Sequence, residues 1–122
     1  MNDNLQALRG RWEMISAVRD GQPLGAEFVA TGRYELLNDV TTVRFRGQVF
    51  MQGTTRADAS ATPGTVDYVL THSPGRGKKQ LGIWEHDGET LRICVALPGR
   101  PRPLDFATRL GDDLTLMVWR PA

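Results

Sequence analysis

The sequence predicts an all-β domain, an antiparallel up-and-down barrel of about eight or nine strands with a short helical turn at its N-terminus. Three observations carry this. Short runs of alternating apolar and polar residues recur along the chain, turn dipeptides separate them at near-regular spacing, and no stretch has the apolar period of a long helix. The clearest unit is a hairpin in which the alternating runs 80–86 and 89–96 flank Asp87-Gly88, a dipeptide suited to the positive backbone angles of a tight turn.

Taken in order, residues 5–9 (Leu-Gln-Ala-Leu-Arg) suit a helical turn leading to Gly10. Strands are expected at 11–19, 33–38, 41–46, 48–58, 65–72, 79–86, 89–96, 104–109 and 114–120. Their breaks fall at Asp20-Gly21, Asn38-Asp39, Gly47, Pro63-Gly64, Pro74-Gly75, Asp87-Gly88, Pro98-Gly99 and Gly111-Asp112. Alternation assigns the faces: Trp12, Met14 and Val18 point inward while Arg11, Glu13 and Arg19 point out, and Val43 and Phe45 oppose Arg44 and Arg46. The same parity puts Tyr34 and Leu36, then Val66, Tyr68 and Leu70, then Leu91, Ile93 and Val95, then Leu116 and Val118 on inward faces, with Phe106 as a further inward anchor. The irregular segment 21–32 is expected to cover one end of the barrel. No internal repeat or second domain is visible, so residues 1–122 read as one domain.

A chain of 122 residues can bury a core without covalent staples. The single cysteine, Cys94, cannot form an internal bridge. The first residues have neither the basic nor the apolar region of a leader, and no run approaches a membrane span, so the expected location is cytoplasmic. Fifteen basic against fourteen acidic residues leave a net charge of +1, which argues against a nucleic-acid partner. Thirteen of the fifteen are arginine, a bias that genomic base composition explains as readily as anion binding.

The opening Leu8-Arg-Gly-Arg-Trp12 resembles the Gly-x-Trp start of lipocalins and related calycin barrels. That resemblance implies that Trp12 closes one end of the barrel, with Arg120 of the last strand packed over its indole as a cation–π partner. More of the chain is similar to a bacterial family of small lipocalin-like domains of uncharacterised function, abundant in planctomycetes. The residues that carry this are Leu8-x-Gly-x-Trp12, Asp20-Gly-Gln-Pro23, Gly77-Lys78, Leu81-Gly-Ile-Trp-Glu85, Asp87 to Cys94, Pro98-Gly99 and Arg102-Pro103-x-x-Phe106. Many members of that family carry secretion signals, so location does not transfer. The family implies a barrel and leaves the chemistry open.

Several constellations invite a chemical reading. Ser73-Pro-Gly-Arg-Gly-Lys-Lys79 looks like a phosphate cradle, but His72 stands where a P-loop needs its first glycine, and neither Lys79 nor Gln80 after it supplies the Ser or Thr that must follow the Gly-Lys pair. A solvated hairpin loop is the better reading. His72 and His86 lack metal-ligand spacing, and Glu85, His86 and Asp87 should diverge across a strand, so no metal and no cofactor are expected. Cys94 alternates with the inward residues and should lie on the outer wall, as packing rather than as a nucleophile. Asp67, between apolar neighbours, and Arg102, in a Pro-Arg-Pro frame near the barrel mouth, would need a partner or a polar ligand if they turned inward; outward orientation is the simpler reading.

Three functions fit. The first is a protein that binds a small apolar or amphipathic molecule, with candidate contacts Met14, Tyr34, Leu36, Phe45, Met51, Tyr68, Ile83, Leu91, Ile93 and Phe106. Plain core packing competes with this for every one of those residues. The second is a protein-interaction module of the inhibitor or immunity kind, using the basic loops 73–79 and 97–103. The third is an enzyme that isomerises or cyclises a small molecule in the barrel, with Tyr34, Asp67, Tyr68 and Arg102 as the groups to test. Exposed strand edges permit a monomer or a dimer.

Overall fold

The computed structural model describes residues 5–72 and 75–122. After a single 3-10 turn at Gln6–Leu8 come β1 (Gly10–Arg19), β2 (Gln22–Pro23), a one-turn helix α1 (Ala26–Val29), β3 (Arg33–Leu37), β4 (Val40–Phe45) and β5 (Gln48–Asp58). The chain continues through β6 (Gly64–Leu70), β7 (Lys79–Asp87), β8 (Thr90–Val95) and β9 (Thr115–Pro121). The sheet order is β2-β1-β3-β4-β5-β6-β7-β8-β9, and a further pairing of β1 with β9 closes eight of the strands into an antiparallel barrel, with β2 as a short addition to β1.

Turn chemistry places the hairpins. Asp20-Gly21, at φ 52° and 76°, and Arg46-Gly47, at φ 53° and 76°, each supply the two left-handed residues of a tight turn. In the β7–β8 hairpin only Gly88 has positive φ, because Asp87 stays in the ladder opposite Thr90.

Expected strand 104–109 does not form. Residues 96–114 run as one irregular segment between β8 and β9, which pair directly with each other and leave no ladder for another strand to join. Pro101 and Pro103 also lack the backbone N–H that a ladder requires. Beyond Leu97 and Pro98, which reach the open end of the interior, the segment lies on the outside of the wall. Arg102 donates from Nη1 to the Val66 and Gly82 carbonyls at 3.2 and 2.9 Å, and the Arg92 guanidinium sits 4.5 Å from the Phe106 ring centre. Phe106 is therefore an anchor of the outer surface, not of the interior.

Two face assignments change. A β-bulge between Met14 and Ser16 shifts the parity of β1, so Ala17 is buried inside where Val18 was expected, and Arg19 turns toward the mouth. On β9, Met117 and Trp119 point inward opposite Ile93 and Leu91, while Leu116 and Val118 pair with Cys94 and Arg92 on the outer face. The run Leu116-Met-Val-Trp119 is apolar throughout because the 96–114 segment covers its outer side, so alternation could not reveal which parity faces in.

The closed end is filled. Leu8, Trp12, Leu36, Leu91, Ile93 and Trp119 form the centre of the core, with Trp119 fully buried. The Trp12 indole N–H donates to the Leu8 carbonyl at 3.1 Å, which ties the 3-10 turn across that end. Arg120 does not cover Trp12. It pairs with Glu13, its neighbour across β1 and β9, and the Trp12 ring instead meets His86 at 5.5 Å. The carboxylate is the stronger attraction for a guanidinium at a wet strand end.

Candidate functional site

At the opposite end the interior opens into a cavity of about 700 Å³. Its wall comes from alternate residues of the strands: Met14 and Ala17 of β1, Val43 and Phe45 of β4, Met51 of β5, Leu70 of β6, Val95 of β8 and Met117 of β9. Segment 21–32 covers the mouth as expected, through Leu24 and the helix α1. Phe28 stacks on Phe45 with ring centres 4.1 Å apart, and Phe50, 60% exposed, meets Phe45 edge-on at 5.3 Å. The Arg46 guanidinium lies 6.0 Å from the Phe28 ring centre on its outer side. Arg19, His72, Gln80 and Thr115 add polar groups to the lining, with the Gln80 amide held to the Ala96 carbonyl at 2.9 Å.

The polar feature of the lining is Tyr34 and Tyr68, from β3 and β6, whose hydroxyls meet at 3.0 Å. Both side chains are almost fully buried, and Tyr34 rests against Trp119 of the closed end with ring centres 5.5 Å apart. A second buried hydroxyl pair, Thr41 of β4 and Thr55 of β5, meets at 2.6 Å. Burial raises the pKa of Tyr34 and raises that of Tyr68 well above its ordinary value. Both phenols are thus neutral hydrogen-bonding groups, and neither is a ready base.

Of the ten candidate contacts, Met14, Tyr34, Phe45, Met51 and Tyr68 line this cavity. Leu36, Leu91 and Ile93 are buried in the filled half. Ile83 pairs with Cys94 on the outer face of the wall, and Phe106 is outside the barrel. The four groups considered for catalysis are split between two places. Asp67 pairs with Arg102 at 2.8 Å on the outer wall, where Asp67 also lines a small groove with Arg56 and Lys79, while the two tyrosines are inside. Cys94 lies buried on the outer wall, and burial, with Asp112 and Asp105 nearby, pushes its thiol from 9.0 up to about 11. A thiol so protonated makes a poor nucleophile.

Sequence reasoning faced Val43, Leu70 and Val95 inward without naming them as contacts, and it missed Ala17, Leu24, Phe28 and Met117 as cavity residues. Nothing in the alternation marks the bulge that exposes Ala17, and Phe28 lies in a segment without strand period. Of the two basic loops, Ser73 and Pro74 lie outside the described residues; the remainder of that hairpin touches the other loop, with Gly99 N–H donating to the Lys79 carbonyl at 2.9 Å. Among the described residues no helix is long and apolar enough to cross a membrane. No family model matches the chain, and no curated protein and no solved structure matches it. The architecture itself, a closed eight-stranded antiparallel barrel, is consistent with that of calycin and lipocalin-like proteins.

Proposed function

We propose that this protein binds one small apolar or amphipathic molecule in the cavity at the open end of its barrel. The observation that carries this is the asymmetry of the interior: one end is packed solid, whereas the other holds about 700 Å³ behind apolar walls, a size ordinary for small-molecule sites. A domain of this length has the residues to fill its barrel, and filling both ends would be the more stable arrangement. The lining is mostly apolar, with the buried tyrosine pair inside and Arg19, Gln52, His72, Gln80 and Thr115 as its other polar groups, which suits an apolar ligand oriented by a small number of polar contacts.

The test is native mass spectrometry of gently purified protein, followed by extraction under denaturing conditions, beside titration with an environment-sensitive apolar fluorophore. A stoichiometric adduct, or saturable fluorophore binding that Ala17→Phe abolishes, is expected. No adduct together with fluorophore binding indifferent to Ala17→Phe would overturn the reading.

A further inference from the structure

The β-bulge in β1 aims one arginine into the open end. Arg19 follows Ala17 on the inward parity that the bulge creates, and it stands opposite Thr115 of β9, which in turn stands opposite Val95 of β8. All three residues line the cavity, and no Asp or Glu among the described residues does. Other arginines have a carboxylate partner: Arg11 and Arg44 meet Glu35, Arg92 meets Glu85, Arg102 meets Asp67 and Arg120 meets Glu13. Among the described residues Arg19 has neither an ion pair nor a side-chain hydrogen bond. Asp20, beside it in the chain, is committed elsewhere, its Oδ1 accepting from the Gly111 and Asp113 N–H groups at 2.7 and 3.0 Å. The field around the mouth has the same sign as Arg19. Connections at the open end carry Arg46, Arg76, Lys78, Lys79 and Arg100, and residues 46–49, 75–79 and 96–100 contain no acidic side chain. The acids of this end are confined to Glu27 on α1 and to Asp20, Asp112 and Asp113 beside β1 and β9. In and beside the turns of the closed end stand Asp39, Asp58, Asp87 and Glu89. The net charge of +1 thus conceals a separation of charge along the barrel axis, which draws anions toward the cavity.

We propose that the ligand is an amphipathic anion, an apolar chain with a carboxylate or other anionic headgroup, held with that headgroup against Arg19 at the mouth and with its chain among Met14, Val95 and Met117. This rests on the reading that the cavity binds a small molecule, and it names the charge of that molecule. The headgroup sits at the mouth because Arg19 is exposed there, so both charges keep part of their water. Deeper in, the polar groups are the buried hydroxyls of Tyr34 and Tyr68, which offer no countercharge to an anion taken out of water. A cationic headgroup would meet Arg19 and the basic rim with no carboxylate on the lining to compensate it.

The experiment is displacement of a bound uncharged fluorophore at neutral pH by three compounds of equal chain length, decanoate, 1-decanol and decylammonium. For the unaltered protein, decanoate should bind tighter than decanol by roughly two- to fivefold, the range of one exposed ion pair, and decylammonium should bind weakest. Added salt should shrink the preference for decanoate. Arg19→Gln should bring decanoate down to the affinity of decanol. Arg11→Gln, which removes the same charge from the outer face near the closed end, should keep the preference, an outcome that a mere change of net charge would not produce. Equal affinity of the three compounds, a preference for decylammonium, or a preference for decanoate that survives Arg19→Gln would overturn the proposal while leaving small-molecule binding intact. Failure of all three to displace the fluorophore would count against the cavity as a binding site, and the proposal would fall with it.

Discussion

The two halves of the barrel interior are built from the same strands with the same alternation, yet one is solid and the other hollow. At the closed end the inward positions hold Leu8, Trp12, Leu36, Leu91 and Trp119, and the 3-10 turn sits across them, pinned by the Trp12 bond to Leu8. Toward the open end the same strands offer Phe45 and Leu70 but otherwise Ala17, Val43, Val95 and the methionines Met14, Met51 and Met117, and the cover is a single helical turn carrying Phe28. Side-chain volume, not alternation, separates a core from a cavity. The outer wall forms a third region, dry where the segment after β8 covers Ile83 and Cys94.

The sharpest way to break this comparison is to truncate the packed half. Trp119→Ala, at a fully buried indole, should cost about 3 to 5 kcal/mol in urea unfolding. Met51→Ala, at a half-buried residue of the cavity wall, should cost clearly less while weakening fluorophore binding. If the two cost the same, the halves do not differ in packing.

Enlarging residues tests the same contrast from the other side. Val66→Phe, at a fully buried position of the packed core, should cost about 1 to 3 kcal/mol through overpacking. Ala17→Phe should find room in the cavity, leave the thermal midpoint nearly unchanged and abolish fluorophore binding.

The covered outer wall should respond to alkaline pH. Below pH 9.0 the Cys94 thiol is protonated in both folded and unfolded chains and contributes no pH dependence. Between 9.0 and about 11 the unfolded chain ionises first and binds fewer protons, so stability falls as pH rises. That fall is at most about 2 to 3 kcal/mol for a shift of this size. Urea unfolding across this range should show a shallower decline for Cys94→Ala; an identical slope would mean that the wall beneath 96–114 is wet.

The smallest effect is expected at the clasp that holds this segment down. Arg102→Ala removes the bond to Asp67 and those to the Val66 and Gly82 carbonyls, and because both ionic side chains are about a third exposed the cost should be only about 1 kcal/mol. Limited proteolysis between 97 and 114 should accelerate while fluorophore affinity stays the same. A loss of affinity would connect the outer wall to the cavity.

Much of the fold was legible because strand alternation and turn residues are local. The hairpin at 80–96, the turns at Asp20-Gly21 and Gly47, and the inward sets Tyr34 with Leu36 and Val66 with Tyr68 and Leu70 follow from period two and positive φ alone. The site was legible only in part, for three reasons. The bulge in β1 reverses parity without a sequence mark, the covered β9 is apolar on both faces, and the Phe106 segment contains strand-like residues that find no ladder to join.

By itself, then, the sequence determined an antiparallel all-β domain, most of its strands and many of its inward residues, since these depend on neighbours one or two positions apart. Only the tertiary structure decided that the strands close through β1 and β9, that one half fills while the other stays open, and that two tyrosines 34 residues apart share a hydrogen bond inside. Those outcomes depend on volumes and hydroxyl partners gathered from several strands at once, and no local pattern records that sum.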